Sequence, residues 1–356
     1  MVDQAFTAVM KEYDVPGLVV GVTAGGERHF FEYGVASRES GVPATRQTVF
    51  EIGSLSKTFT ATLAGYAIHM GQLSLDDHPG RHVTAVRGTP VDRAQMLHLG
   101  TYTAGGLPLQ FPAEYDREGR ALDYFRSWTP AAPPGKQRRY SNPSLGLFGY
   151  ATAAALGQPF KEAMHHLFSV GFGLRSTFID VPSSHAQAYA WGYNLKNEAV
   201  RVNPGAFDAQ TYGVKTSAED LLTFIEAQLL PSGLDVPWRD AVRMTHVAHF
   251  EASPLRQCLG WEQYAPPAAL NSLLAGHAES MVLGSQPVKA LAPDFGEAGM
   301  LFHKTGSTGG FGAYAVFVPS RNVGIVMLAN RNFPNTARIR AAHAVLATLG
   351  ELGPAR

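Results

Sequence analysis

The sequence predicts an α/β fold in which a largely antiparallel sheet is built from both ends of the chain and flanked by terminal helices. Two β-branched and aromatic runs follow a short helix near the N-terminus, and three more precede a helix near the C-terminus. The middle alternates helical segments with long loops. We therefore place the α/β domain at residues 1–70 and 270–356, and a mostly helical insertion at residues 71–269.

The N-terminal elements follow from periodicity. Residues 4–13 place Phe6, Val9 and Met10 on one helical face. Residues 17–23 and 28–36 are predicted strands, and the glycines after Ala24 supply the turn between them.

The C-terminal elements are bounded by turn residues. Residues 300–305, 312–318 and 323–329 are predicted strands, with a tight turn at 319–322. A helix is predicted over 336–349, with Asn335 as its N-cap.

The middle of the chain predicts helices over 143–156 and 219–229. Glycine- and proline-rich loops are expected at 105–114 and 190–213. We find no internal repeat and no low-complexity tract.

Composition excludes several classes of protein. Apolar residues make up 45% of the 356 residues, which is enough for a large core and excludes global disorder. The 29 basic and 29 acidic residues cancel, so neither a nucleic acid nor an anionic membrane is an expected partner. The longest uncharged run, residues 141–160, is too polar for membrane insertion. A single cysteine, Cys258, permits no internal disulfide.

The first motif is Ser54-Leu55-Ser56-Lys57, at the start of a predicted helix. Residues three apart share a helix face, so Ser54 and Lys57 can meet, and a lysine whose pKa is lowered can activate a serine hydroxyl. Alone, the motif favours an N-capping Ser54 and a solvated Lys57, since a chance match is common in a chain of this length.

The second and third motifs are Tyr140-Ser141-Asn142 and Lys304-Thr305-Gly306. A phenol near two ammonium groups can ionise below its usual pKa and act as a base, and Asn142 can bind a substrate amide. Lys304 and its neighbouring hydroxyls suit a substrate carboxylate lying along a strand, where glycine leaves room. Alone, Tyr140-Ser141-Asn142 favours an ordinary loop tyrosine before a helix start, and a glycine-rich turn explains Lys304-Thr305-Gly306 equally well.

Each motif occurs once, in the order S-x-x-K, Y-x-N, K-T-G, and together they carry a resemblance. The sequence resembles class C β-lactamases over nearly the whole chain. The further segments that match the pattern are residues 51–53, 97–110, 190–193, 209–215, 303–312 and 324–338. The resemblance implies the β-lactamase/transpeptidase-like fold, with the active site between the two domains.

The resemblance also implies roles for individual residues. Ser54 is the expected nucleophile, Lys57 and Tyr140 share the general-base work, and Lys304 favours the Tyr140 anion. The backbone N–H groups of Ser54 and Ser307 form the oxyanion hole. The expected substrate-binding residues are Gln110, Asn142, Tyr212, Thr305, Gly306, Ser307, Asn332, Asn335 and Arg338.

Two departures separate the chain from class A enzymes and penicillin-binding proteins. Tyrosine opens the middle motif where those proteins have serine, and no E-x-x-L-N segment is present.

Three pairs of histidines close in the sequence are candidate metal ligands. His78 and His82 are four residues apart, but Pro79-Gly80 interrupts the helix that such a pair needs. His165 and His166, and also His246 and His249, lack a matching ligand set, so no metal and no organic cofactor is expected.

The predicted protein is thus a monomeric serine β-lactamase that opens cephalosporins and penicillins and confers resistance to them. The alternatives are a DD-peptidase or esterase of the same fold and a lactam sensor that deacylates slowly. The N-terminus shows no export signal, which fits a cytoplasmic protein or the mature form of an exported one. The resemblance favours the periplasm.

Overall fold

The computed structural model describes residues 2–117, 119–294 and 299–349. Its strands, in chain order, are β1 (Gly17–Ala24), β2 (Glu27–Gly34), β3 (Val49–Glu51), β4 (Gln137–Arg138), β5 (Thr177–Phe178), β6 (Gly192–Tyr193), β7 (Ala199–Val200), β8 (Lys215–Ser217), β9 (Ala248–Ala252), β10 (Leu255–Gln257), β11 (Glu262–Tyr264), β12 (Gln286–Pro287), β13 (Lys289–Asp294), β14 (Leu301–Ser307), β15 (Gly312–Val318) and β16 (Val323–Ala329).

The α-helices lie at both ends and throughout the middle of the chain. They are α1 (Val2–Tyr13), α2 (Ser56–His69), α3 (Pro79–His82), α4 (Met96–Gly100), α5 (Ala121–Ser127), α6 (Asn142–Ala155), α7 (Phe160–His166), α8 (Asp208–Thr211), α9 (Ala218–Leu229), α10 (Val236–Thr245), α11 (Leu270–Ala275), α12 (Glu279–Leu283) and α13 (Asn335–Thr348).

A nine-stranded antiparallel sheet forms the centre of the α/β part. Its order is β13-β9-β10-β11-β14-β15-β16-β1-β2, so the C-terminal hairpin β15-β16 lies beside the N-terminal hairpin β1-β2. Pairing of Leu18 with Ala329 and of Gly312 with Ala329 fixes this register. The predicted α/β fold with an antiparallel sheet built from both chain ends is therefore confirmed.

Helices cover both faces of the sheet, which explains the uninterrupted apolar sequence of its central strands. On β16, Val326 and Leu328 belong to the core cluster that contains α9, whereas Ile325 and Met327 belong to the cluster that contains α1 and α13. Since successive side chains of a strand point to opposite faces, both sets are buried. A third cluster joins α2, α4 and α6 away from the sheet.

Among the differences from the sequence predictions, three concern the middle of the chain and the last helix. Strands β9, β10 and β11 belong to the large sheet, although they lie within the range predicted as a helical insertion. Short strand pairing and a short helix interrupt the predicted loop at 190–213, because β6 pairs with β7 and α8 follows. The last helix begins one residue early, so Asn335 is its first residue and Pro334 is the N-cap.

No helix among the described residues is both long enough and apolar enough to span a bilayer. The division of the chain into two domains stays a prediction.

Phe224 on α9 tests the packing between the sheet and the helical part. Its ring is fully buried and stacks on Phe59 of α2 with centroids 3.9 Å apart. We expect Phe224→Ala to lower the free energy of unfolding by about 3–5 kcal/mol, measured by urea denaturation, because it leaves a cavity. Leu195 is 92% exposed, and Leu195→Ala is the control expected to change stability by less than about 0.5 kcal/mol. Equal effects of the two substitutions would contradict this account of the core.

Candidate active site

Ser54 lies on a 3₁₀ turn, Gly53–Leu55, that packs directly against strand β14. A Cβ atom on Gly306 would lie 1.8 Å from the Ile52 carbonyl oxygen, so only glycine permits this approach. Gly53 has a φ of +49°, and a Cβ atom there would lie 2.4 Å from the Ser307 nitrogen. These two glycines therefore place the backbone of Ser307 beside the turn that carries Ser54.

Lys57 is in the first turn of α2, and its side chain is fully buried. Its Nζ donates hydrogen bonds to Ser54 Oγ at 2.8 Å and to the Thr211 carbonyl oxygen at 2.9 Å. Burial lowers the pKa of Lys57 to about 8, although Tyr140 acts in the opposite direction. Ser54 does not cap the helix and Lys57 is not solvated. The interpretation of S-x-x-K as a helix cap followed by a surface lysine is therefore excluded.

Tyr140 lies between two ammonium groups. Its ring centroid is 5.2 Å from Lys57 Nζ and 4.9 Å from Lys304 Nζ. Burial alone would raise the pKa of the phenol, but the charges of Lys304 and Lys57 outweigh it and lower the pKa to about 8. The buried Tyr140 hydroxyl makes no hydrogen bond to a described residue. The lowered pKa allows the phenol to exchange a proton near pH 8.

Lys304 on β14 is held by groups that the sequence analysis did not identify. Its Nζ is 3.8 Å from Oε1 of the buried Glu262, which also pairs with Arg138 Nη2 at 3.3 Å. Burial opposes ionisation of Glu262, but Lys304 and His277 keep the pKa of its carboxyl well below the usual range. Residues 138, 262 and 304 are far apart in sequence, so no local pattern could have revealed this cluster.

Gln110 and Asn142 are brought together by the start of α6. Asn142 Nδ2 donates to Gln110 Oε1 at 2.8 Å. Ser141 is the N-cap of this helix, since its Oγ accepts a hydrogen bond from the Ser144 nitrogen. The half-buried Tyr212 follows α8, directly after the residue whose carbonyl accepts from Lys57. The two amides therefore face each other across one short hydrogen bond.

Arg338 differs from the expectation that it borders a bound carboxylate. It is fully buried, and its Nη1 donates to the Gly306 carbonyl oxygen at 2.7 Å and to Ser307 Oγ at 3.1 Å. Its Nη2 donates to Asn332 Oδ1 at 2.6 Å. These acceptors belong to the protein itself and occupy both Nη groups of the buried guanidinium. Arg338 therefore fixes the end of β14 and has no exposed face that could contact a substrate.

A cavity of about 140 Å³ lies beside Ser54. It is lined by Ser54, Arg138, Tyr140, Glu262, Gly276, His277, Met281, Val282, Lys304, Thr305, Gly306, Ser307 and Asn335. Seven of the predicted site residues are in this set. The other predicted residues are outside its lining: Lys57, Gln110, Asn142, Tyr212, Asn332 and Arg338. Asn332 instead lines a surface hollow with Gly309.

Comparison with known protein families shows which family the chain belongs to. The β-lactamase family model matches residues 2–350. The chain belongs to the β-lactamase family. The match spans all three motifs and the cavity between them, so the site just described is that of a family member.

Individual relatives within this family extend over the same range. The chain is 46% identical over 352 residues to a β-lactamase of Pseudomonas fluorescens, which covers 99% of this chain and 98% of that protein. It is 38% identical over 351 residues to a β-lactamase of Escherichia coli K12, covering 98% and 93%. A class C β-lactamase structure from Rhodobacter sphaeroides superposes with a TM-score of 0.94 at 40% identity, covering 98% of this chain and 99% of that one.

The environment of Tyr140 can be tested by its ionisation. The protein has 13 tyrosines, and we expect one to form phenolate with a midpoint near pH 8 as the pH rises, seen by ultraviolet difference spectroscopy. Lys304→Gln removes the cation that lowers this pKa most, so the midpoint should move to higher pH. In Tyr140→Phe the step should disappear. A step that persists in Tyr140→Phe, or that keeps its midpoint in Lys304→Gln, would contradict the arrangement.

Proposed function

We propose that the protein is a class C serine β-lactamase, a cyclic amide hydrolase that opens cephalosporins and penicillins through an acyl-enzyme on Ser54. One observation carries this proposal: Ser54 Oγ accepts a hydrogen bond from the buried Lys57 Nζ at 2.8 Å, beside a phenol held between two lysines. The arrangement supplies a nucleophile, a base and a neighbouring cation in one place.

Acylation begins when Ser54 Oγ attacks the lactam carbonyl carbon. Its proton passes to the base formed by Lys57 and Tyr140, both of which have pKa values lowered to about 8. The carbonyl oxygen becomes an anion that the backbone N–H groups of Ser54 and Ser307 stabilise. The carbon–nitrogen bond then breaks, and the leaving nitrogen takes up a proton from the Tyr140 hydroxyl.

Deacylation uses a water molecule in place of the serine. The Tyr140 phenolate removes a proton from this water, whose oxygen attacks the ester carbonyl carbon. The ester bond to Ser54 Oγ breaks, the serine regains a proton, and the product leaves as a carboxylic acid. Because the ammonium groups of Lys57 and Lys304 favour the phenolate, the base is available again after each half-reaction.

Substrate orientation follows from the polar groups around the cavity. Lys304, Thr305, Ser307 and Asn335 lie along one wall and suit the carboxylate on the second ring. Gln110 and Asn142 suit the acylamide side chain, because Asn142 Oδ1 has no partner among the described residues. Tyr212 forms a wall of the side-chain pocket. Asn332 and Arg338 act behind Ser307, so we assign them to positioning the strand.

The class assignment has support from two sides. The middle motif opens with Tyr140, and the structural neighbour from Rhodobacter sphaeroides is a class C enzyme at 40% identity. The relatives are bacterial β-lactamases, which supports a periplasmic site of action and a role in β-lactam resistance. A monomeric state and catalysis without an organic cofactor remain predictions of the resemblance.

A D-alanine carboxypeptidase is the second candidate. A crystal structure from Pseudomonas syringae, with a TM-score of 0.94 and 41% identity over 97% of both chains, is named β-lactamase/D-alanine carboxypeptidase. Release of D-alanine from a D-alanyl-D-alanine peptide, faster than hydrolysis of a cephalosporin, would favour this activity. A single stoichiometric burst of cephalosporin opening without turnover would favour a lactam sensor.

The nucleophile is tested by turnover of a chromogenic cephalosporin. We expect Ser54→Ala to lower kcat by at least about 10⁴-fold, because it removes the hydroxyl that accepts from Lys57 and would carry the acyl group. Ser183 is exposed, and Ser183→Ala is the matched control that should keep full activity. Undiminished turnover by Ser54→Ala would refute the mechanism.

The amide pair is tested by comparing two substrates. Asn142→Ala should lower kcat/KM roughly 3–10-fold for a β-lactam with an acylamino side chain, since one hydrogen bond contributes about 0.5–1.5 kcal/mol. A β-lactam without that side chain should be affected less. The exposed Asn271 gives a control, Asn271→Ala, that should change neither rate. Equal losses on both substrates would remove the amide contact from the proposal.

A further inference from the structure

We propose that Glu262, His277 and His303 form a binding site for one Zn²⁺ ion beside the cavity. Among the described residues they are the one group of three or more histidine, cysteine or acidic side chains able to share an ion. All three are at least nine-tenths buried, with side-chain exposures of 4%, 4% and 0%. Zinc binding at this position does not depend on the proposed hydrolysis, and its test involves no β-lactam.

The distances between the three ligand atoms match zinc geometry. His277 Nε2 and His303 Nε2 are 3.3 Å apart, and they lie 3.4 Å and 3.3 Å from Glu262 Oε2. Zinc bonds to nitrogen and oxygen are about 2.0–2.1 Å long, and tetrahedral angles then separate the ligand atoms by about 3.3–3.4 Å. The triangle therefore has the size that a tetrahedral ion requires.

The surrounding contacts orient the ligands toward a common point. His303 Nδ1 bonds Tyr314 Oη at 2.8 Å, which leaves Nε2 to face the cluster. Glu262 directs Oε1 toward Arg138 and Lys304, while its buried Oε2 faces the Nε2 atoms of His277 and His303. One carboxylate oxygen thus anchors Glu262, and the other faces the point where the ion would bind.

The fold determines what the ion would connect. Glu262 on β11 and His303 on β14 are direct partners across the sheet, whereas His277 lies between α11 and α12. Zinc would therefore attach the segment between these helices to the sheet. Glu262 and His277 also line the cavity, so the ion can enter from there, and the fourth coordination position is left for water.

Lys304 and Arg138 limit how tightly the ion is held. Both cations lie beside Glu262 Oε1, and they oppose a further positive charge. We therefore expect reversible binding that a chelator removes. This revises the sequence-based expectation of no metal, which considered histidine pairs close in the chain. Of those histidines, His82 has its Nε2 2.8 Å from Asp77 Oδ2, and no third ligand from the described part of the chain joins them.

The first test measures zinc binding to untagged protein after treatment with EDTA. We expect one Zn²⁺ per chain by equilibrium dialysis and a melting temperature that rises with zinc concentration. His277→Asn should weaken binding at least about tenfold and remove the temperature shift. His69 pairs with Asp240 outside the cluster, so His69→Asn is the control that should bind like the parent protein. Absence of zinc binding, or equal binding by His277→Asn, would overturn the proposal.

The second test locates the ion by spectroscopy and does not depend on His277→Asn folding well. Co²⁺ in place of Zn²⁺ should give the visible absorption bands of a four-coordinate site. His277→Cys should keep the ion and add a thiolate-to-cobalt charge-transfer band. The native Cys258 is fully buried, so the parent protein should show no such band. A His277→Cys spectrum without this band would place the ion elsewhere and refute the site.

Discussion

The central constraint of this molecule is that two lysine ammonium groups are buried on either side of one phenol. Removing Lys57 from water disfavours its charged form, and the nearby charge of Lys304 disfavours it further. An ionised Tyr140 offsets both effects, because its ring centroid lies 5.2 Å from Lys57 Nζ and 4.9 Å from Lys304 Nζ. Proton transfer at Lys57 therefore depends on the charge of Tyr140, and Ser54 Oγ lies 2.8 Å from Lys57 Nζ.

The rest of the site holds these charges in position. Ser54 Oγ and the Thr211 carbonyl oxygen accept hydrogen bonds from Lys57. The carboxylate of Glu262, on the neighbouring strand, compensates the positive charge of Lys304. Behind β14, the buried Arg338 fixes the carbonyl of Gly306. Before the Ser54 turn, Glu51 accepts hydrogen bonds from Tyr189 Oη, the Val202 nitrogen and Thr308 Oγ1, which join a distant loop and the end of β14 to that turn. Glycines 53 and 306 make the contact between turn and strand possible.

Local patterns predicted the elements that are buried on both faces and end at turns. Strands β15 and β16 have the residue ranges that were predicted from their apolar runs. The S-x-x-K spacing correctly predicted contact between Lys57 and Ser54, because residues three apart share one face of a helix. Strands β9 to β11 were missed because they are short and polar. Glu262, Arg138 and His277 could not be predicted, since only the sheet and the segment after α11 bring them to Lys304. Burial of Arg338 was likewise invisible, because a sequence gives no depth.

The most direct test of the central claim is to identify the covalent intermediate. The protein is mixed with a cephalosporin, quenched in acid within the first turnovers, and analysed by intact mass and peptide mapping. The account predicts one adduct per chain, with the mass of the opened substrate, on the peptide that contains Ser54. An adduct on another residue, or steady turnover with no adduct at any quench time, would contradict it.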